Sequence, residues 1–254
     1  MATYQEQRER EYQNKLVKRF VDELGYKYLG NWQYAKGETV NSLGKQNSSI
    51  LDDEVRKFLN DQKKEDGKTP RYTERQIEDV LFQLKSKARL GNAKMSGLTQ
   101  CNTDLYDTMM MGINSQPDPD SNHEDVMLFD FKDFTNNNFA IAEEVSYIDP
   151  LLGKNKRPDI VVYVNGIALA IIELKRSLVN YEEGIKQHLS NERDFIPSFF
   201  TTTQFTIASN DGVEFRYGTI GTPLKFWCKW KRDTNKLGDV LTEQESYMMF
   251  FNKE

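Results

Sequence analysis

The sequence predicts an α/β protein: a mixed central β-sheet flanked by helices, with a helical N-terminal half. Three observations carry this. Apolar residues recur at helical spacing as far as Met111. Beyond Val126 the pattern changes to short apolar runs separated by turn residues. Two of those runs, 160–164 and 167–174, are joined by Asn165-Gly166, the strongest short hairpin signal.

In chain order, residues 5–24 read as an amphipathic helix. Tyr12, Leu16, Phe20 and Leu24 recur every four residues, Thr3 and Glu6 suggest a capping box, and Gly25 supplies the stop. A second helix opens at Ser49-Ile50-Leu51-Asp52, with Val55, Phe58 and Leu59 on one face. A third opens at Thr73 with Gln76, with Ile77, Val80, Leu81 and Leu84 turned inward. A short fourth spans 102–111. Residues 113–125 read as loop. Strands are expected at 126–131, 139–147, 160–164 and 167–174, a helix at 180–193, and strands at 204–209 and 213–217. The aromatics Phe199, Phe200, Phe205, Phe226, Trp227 and Trp230 are expected to pack in the core.

The 254 residues suffice for one large domain or two small ones, and 38% hydrophobic content supports a real core. No apolar run is long enough for a transmembrane helix, and the N-terminus lacks a signal-peptide pattern, so no membrane and a cytoplasmic location are expected. Cys101 and Cys228 form no Cys-x-x-Cys, and two histidines are too few for a His-rich metal site; His188 reads as a plain helix residue. The net charge of −5 argues against coating nucleic acid by bulk charge, while leaving room for a local basic patch.

The hairpin carries the chemistry. Asp159 precedes its first strand, and Glu173-Leu174-Lys175 ends its second. Glu173 and Lys175, two apart, share a face of the strand. Two carboxylates and a lysine on rigid strands suit metal-dependent phosphodiester hydrolysis. Hard oxygen ligands hold Mg²⁺, and the lysine positions water or neutralises the transition state. A strict two-residue loop would set Asp159 opposite Ile172 and turn Asp159 and Glu173 to opposite faces, so a bulge is expected between them. Glu11 on the first helix is a candidate further carboxylate, Glu143 and Glu144 are candidate supporting groups, and Gln187 is within reach on the following helix. Lys154, Lys156, Arg157 and Arg176 are candidate DNA contacts.

At these residues the sequence resembles the PD-(D/E)xK nuclease superfamily: Pro158-Asp159, then Glu173-Leu174-Lys175. The stretches 22–30, 139–145, 157–176 and 200–210 resemble the N-terminal region of the restriction (R, motor) subunit of type I restriction-modification enzymes. The likeness covers about residues 5–230. It implies a PD-(D/E)xK restriction-endonuclease-like fold, Mg²⁺ held by Asp159 and Glu173, Lys175 as catalytic lysine, and Glu11 and Gln187 in support. In that family a tyrosine follows the helix glutamine by four residues; here the residue is Asn191. The resemblance further implies non-sequence-specific cleavage of double-stranded DNA, with ATP used by helicase-like motor domains, and methyltransferase and specificity subunits as partners. No Gly-x-x-x-x-Gly-Lys-Ser/Thr occurs here, so the motor is expected outside this chain. Residues 1–230 are expected to form the endonuclease domain, with a helical segment about 48–112 inserted before the core sheet, and 231–254 to begin a linker. The competing expectations are a non-catalytic docking or DNA-binding module of the same complex, and a stand-alone repair nuclease.

Overall fold

The computed structural model describes residues 4–33, 48–91, 95–231 and 241–253. Helix α1 (Tyr4–Asp22) leads into β1 (Lys27–Asn31); the Thr3–Glu6 capping box expected for α1 lies outside the described side chains. Three helices follow: α2 (Asp52–Asp61), α3 (Glu74–Lys87) and α4 (Met95–Met111). The capping box expected for α3 is present, with Thr73 accepting from Gln76 N and Gln76 accepting from Thr73 N. Helix α4 is longer than the expected 102–111.

Residues 113–125 are not all loop: Ile113–Ser115 (β2) and Glu124–Val126 (β3) pair antiparallel. Conversely, 127–131 is not strand. There Asp130 Oδ1 accepts from Lys132 N and Asp133 N, and Asn137 Oδ1 takes Asp130 N. These local side-chain bonds occupy donors that a ladder would need.

The remaining elements are β4 (Phe139–Glu143), β5 (Tyr147–Ile148), β6 (Asn155–Lys156), β7 (Ile160–Val164), β8 (Ile167–Lys175), α5 (Tyr181–Ser190), β9 (Phe205–Asn210), β10 (Glu214–Gly218) and α6 (Glu243–Phe250). A π-turn at Asn191–Phe195 and a 3₁₀ turn at Pro197–Thr201 connect α5 to β9. The main sheet runs β1-β4-β7-β8-β9-β10. β1 is parallel to β4 and β8 parallel to β9; the other pairs are antiparallel. The sheet is therefore mixed, as expected, and is compatible with a PD-(D/E)xK-like fold.

One face of the sheet (Ile141, Ile160, Val162, Ile172, Leu174, Ile207) packs under α1 and α6. The other face (Val161, Tyr163, Ala168, Ile171) packs against Phe199 and Phe200 of the 3₁₀ turn. The helical segment expected as an insertion packs α2, α3 and α4 into a core of their own that includes Ile167, at the turn end of the β7–β8 hairpin. Of the aromatics expected inside, Phe199, Phe200 and Trp227 are buried, Trp230 is half-buried, and Phe205 and Phe226 are exposed.

The stretch 231–254, read from the sequence as the start of a linker, contains α6. Thr242 caps it, and its Tyr247 is fully buried against Phe20 and Phe215. The charged composition of that stretch hides a short apolar face. Among the described residues no helix is long and apolar enough to cross a membrane.

Candidate active site

The site begins with the hairpin turn. Asn165 and Gly166 have φ of 50° and 83°, the positive values a type I′ turn requires. The Asn165 side chain is pinned: its amide donates to Leu128 O (2.9 Å) and Asn137 Oδ1 (2.8 Å), and its oxygen accepts from Asn138 N (2.7 Å). From the turn, Val164 pairs with Ile167 and Tyr163 with Ala168. Val162 then pairs with Ala170, leaving Leu169 as the extra residue of a bulge. The bulge expected on geometric grounds is present. Thr202 Oγ1 donates to Ala168 O (2.8 Å) and Gln204 N to Leu169 O (2.8 Å), so its carbonyls are satisfied from the neighbouring segment. One extra residue reverses the facing of all that follows in β8. Ile160 pairs with Ile172, so Asp159 comes to lie beside Glu173 on one face.

The two carboxyl groups interact directly across the strand pair. Asp159 Oδ2 also accepts from Leu174 N at 2.7 Å. Burial, the larger cause, pushes the Asp159 carboxyl up to about 6, against the opposing pull of the Lys175 ammonium. Burial and then the charge of Asp159 raise Glu173 well above the usual carboxylate range.

Helix α5 completes this side. Asn180 caps it by accepting from Glu182 N (3.0 Å). At Gly184 a Cβ would meet the Ala208 Cβ at 3.1 Å, so the helix sits close on the sheet. One turn on, Gln187 bridges two site residues. Its amide donates to Glu173 Oε2 (2.5 Å), and its oxygen accepts from Lys175 Nζ (3.0 Å). Asn191, four residues later, reaches Glu173 Oε1 at 3.5 Å. His188 is a residue of α5, as expected; it is fully buried, stacks on Trp227, and is pushed down to about 4 by burial.

Helix α1 covers the other side. Gln13 Nε2 donates to Asp159 O (3.0 Å), and Glu9 Oε1 lies 3.6 Å from Lys175 Nζ. Glu11, the expected further carboxylate, is exposed. The reason is periodicity: Glu9 lies three residues before Tyr12 and seven before Leu16, on the buried stripe, whereas Glu11 lies off it. Extending the stripe one turn toward the N-terminus would have singled out Glu9.

Glu143 and Glu144 both lie at the site end of β4. Glu143 accepts from Tyr28 OH and pairs with Arg10 (3.1 Å); Glu144 pairs with Arg157 (2.5 Å). Among the expected DNA contacts, Lys154 donates to Asp194 O (2.7 Å), and Lys156 sits over the Phe195 ring at 4.0 Å. Arg176 is half-buried immediately after Lys175.

Among the described residues no group of three or more His, Cys, Asp or Glu side chains converges as a metal site. The donors on offer are the two carboxylates of Asp159 and Glu173. That set fits Mg²⁺, which is commonly held by one or two carboxylates and completes its shell with water and substrate phosphate. Two adjacent carboxyl groups, Glu173 fully buried and Asp159 half-buried, are also an arrangement that a cation would relieve.

Comparison with known proteins bears on the whole chain. A sequence model of the family described as "Type I restriction enzyme R protein N terminus" matches residues 6–226. A Methanocaldococcus jannaschii protein assigned as the type I restriction enzyme MjaIXP endonuclease subunit is 36% identical over 109 residues, 41% of this chain and 10% of the relative. The type I restriction enzyme HindI endonuclease subunit of Haemophilus influenzae is 30% identical over 110 residues, 42% of this chain and 10% of the relative. The chain thus matches about a tenth of the length of these curated relatives.

Proposed function

The chain belongs to the type I restriction enzyme R protein N-terminal family, and from that premise we propose that it is a metal-dependent nuclease domain hydrolysing phosphodiester bonds in double-stranded DNA. The observation that carries this reading is the adjacent Asp159–Glu173 carboxyl pair, Glu173 fully buried, with Lys175 and Gln187 bonded around it. Mg²⁺ held by Asp159 and Glu173 would supply a Lewis acid at the phosphate and lower the pKa of an attacking water. Lys175 brings a cation to where negative charge develops on the phosphate. Gln187 fixes the direction of that ammonium and the rotamer of Glu173 together. Gln13 holds the backbone of Asp159 from the opposite side.

Cleavage without sequence preference, ATP-driven delivery of DNA by domains outside this chain, and assembly with methyltransferase and specificity subunits complete the proposal. Titration of the chain with Mn²⁺ tests the site: binding should be lost in Asp159→Ala and Glu173→Ala and kept in Glu11→Ala. In the assembled enzyme, Asp159→Ala should abolish DNA cleavage and leave ATP hydrolysis intact. Loss of assembly instead would make the hairpin a docking element, and Mn²⁺ binding that ignores both carboxylates would end the nuclease reading.

A further inference from the structure

Two arginines from different elements stand at the rim of the site, both partly exposed and both tied to acid. Arg10, on α1, places Nη1 3.1 Å from Glu143 Oε1 and 3.9 Å from Glu144 Oε1; its side chain is 42% exposed. Arg157, two residues before Asp159, places Nε 2.5 Å from Glu144 Oε2 and is 44% exposed. Their acidic partners are sunk beneath them. Glu144 N donates to Asp159 O (2.9 Å), so the Glu144 backbone is fastened to the metal-ligand candidate itself. Glu144 has φ of 51°, one of two non-glycine residues with positive φ among those described. That conformation is unfavourable for glutamate and persists only where the surroundings enforce it.

Resting on the nuclease reading, we propose that Arg10 and Arg157 form a phosphate clamp for the DNA backbone, and that the Glu144 carboxylate occupies the clamp until a phosphate displaces it. A guanidinium presents a planar fork of donors that fits carboxylate and phosphate alike, so one acid can stand in for the other. The exposed faces of both arginines look toward solvent, from which DNA must come, while Glu143 stays buried and paired with Arg10 and Tyr28. Glu144 is the exchangeable member: its side chain is 12% exposed, against 3% for Glu143. Occupied by Glu144, the rim is electrically balanced, and a chain of net charge −5 has little to attract DNA. The clamp thus makes weak DNA binding a property of the resting site, lifted when a duplex is pressed against it.

The test is binding of a fluorescein-labelled duplex by anisotropy across a salt series, in EDTA so that no cleavage intervenes. Glu144→Gln should tighten binding about fivefold, the upper range for releasing a surface ion pair. It should steepen the slope of log K against log salt by about 1 to 2, as one or two further phosphates are neutralised. Glu78→Gln, which removes the same charge from the α3 surface, should do neither. The gain should vanish in Glu144→Gln/Arg157→Ala. Glu144→Gly, which removes the acid and suits the positive φ, is the second variant and should behave as Glu144→Gln does. If wild type binds through Arg157 but both Glu144 variants match Glu78→Gln, the clamp is overturned and the nuclease reading stands. If no variant binds duplex at the lowest salt, the clamp is overturned, and the nuclease reading is decided separately by the Mn²⁺ titration of Asp159→Ala and Glu173→Ala.

Discussion

Single residues at this site are set by whom they touch, and two of them make clear forecasts. Gln187→Ala unlinks Lys175 from Glu173 without opening the core. Cleavage by the assembled enzyme should fall about 10- to 100-fold, as for other groups that orient a ligand, while the chain stays folded and loses about 1 to 3 kcal/mol for the hydrogen bond removed from buried Glu173. Glu192 is fully buried; Oε2 accepts from Gly221 N (2.9 Å), and Oε1 has no partner among the described residues. Burial raises it from 4.5 to about 7. The folded chain thus keeps a proton that the unfolded chain sheds near 4.5, and the resulting stability is full below that pH and lost as pH rises through 7. Glu192→Gln retains the acceptor for Gly221 and removes the titration. It should raise unfolding free energy at pH 8 by up to about 3 kcal/mol and change it little at pH 4.5, measured by urea melts at both. Asp159, Glu173 and Lys175 were legible in the sequence because turn, strand and charge signals coincide within one hairpin. Glu9 was not, because apolar spacing marks only the apolar members of a helical stripe and Glu9 continues that stripe as a charged residue. Arg10 and Gln13 carry no local signal at all; they matter through the strand ends that α1 happens to cross.

At the scale of elements, the hairpin and its bulge organise the rest. The need for a bulge could be deduced from the two-residue turn, but its position at Leu169 could not. Residues 167–172 are apolar throughout, and a run buried on both faces has no alternation for a bulge to interrupt. The strand expected at 126–131 failed for the opposite reason: its apolar residues were visible, while the turn built by Asp130 and Asn137 depends on side chains meeting backbone across several residues. The turn itself is strictly determined. A Cβ on Gly166 would lie 2.8 Å from Leu51 O and Val55 N, at φ 83°. Gly166→Ala should therefore cost about 3 kcal/mol, seen as a lower urea midpoint with an unchanged m-value. It should also loosen α2, whose N-cap residue Leu51 donates its backbone N–H to Gly166 O (2.8 Å).

Across the whole molecule, the helices at either end of the described chain close on one face of the sheet. Phe20 of α1 meets Tyr247 of α6 and Phe251 beside it, at ring separations of 6.3 and 5.0 Å. Tyr12 OH donates to Glu243 Oε1 (2.6 Å) and lies 2.7 Å from Ser209 Oγ. A chain ended at residue 231 loses Tyr247 and Phe251 from that core. Losing two buried aromatics costs more than about 5 kcal/mol, comparable to a domain's whole stability, so cooperative thermal unfolding should disappear. The sequence hid this because eight helical residues of mixed polarity, Glu243–Phe250, are too few to display a period. The same clasp also orders events in time. Tyr12 and Glu243 are 231 positions apart, so a chain emerging from the ribosome can lay down the sheet bearing Asp159, Glu173 and Lys175 long before α6 exists. Helix α1, which brings Glu9 and Gln13 over those residues, packs directly on that sheet and meets α6 afterwards. The contacts that lock α1 from its far side form only after residues 243–251 are made, so a chain stopped before them holds the helix over its carboxylates by the sheet alone.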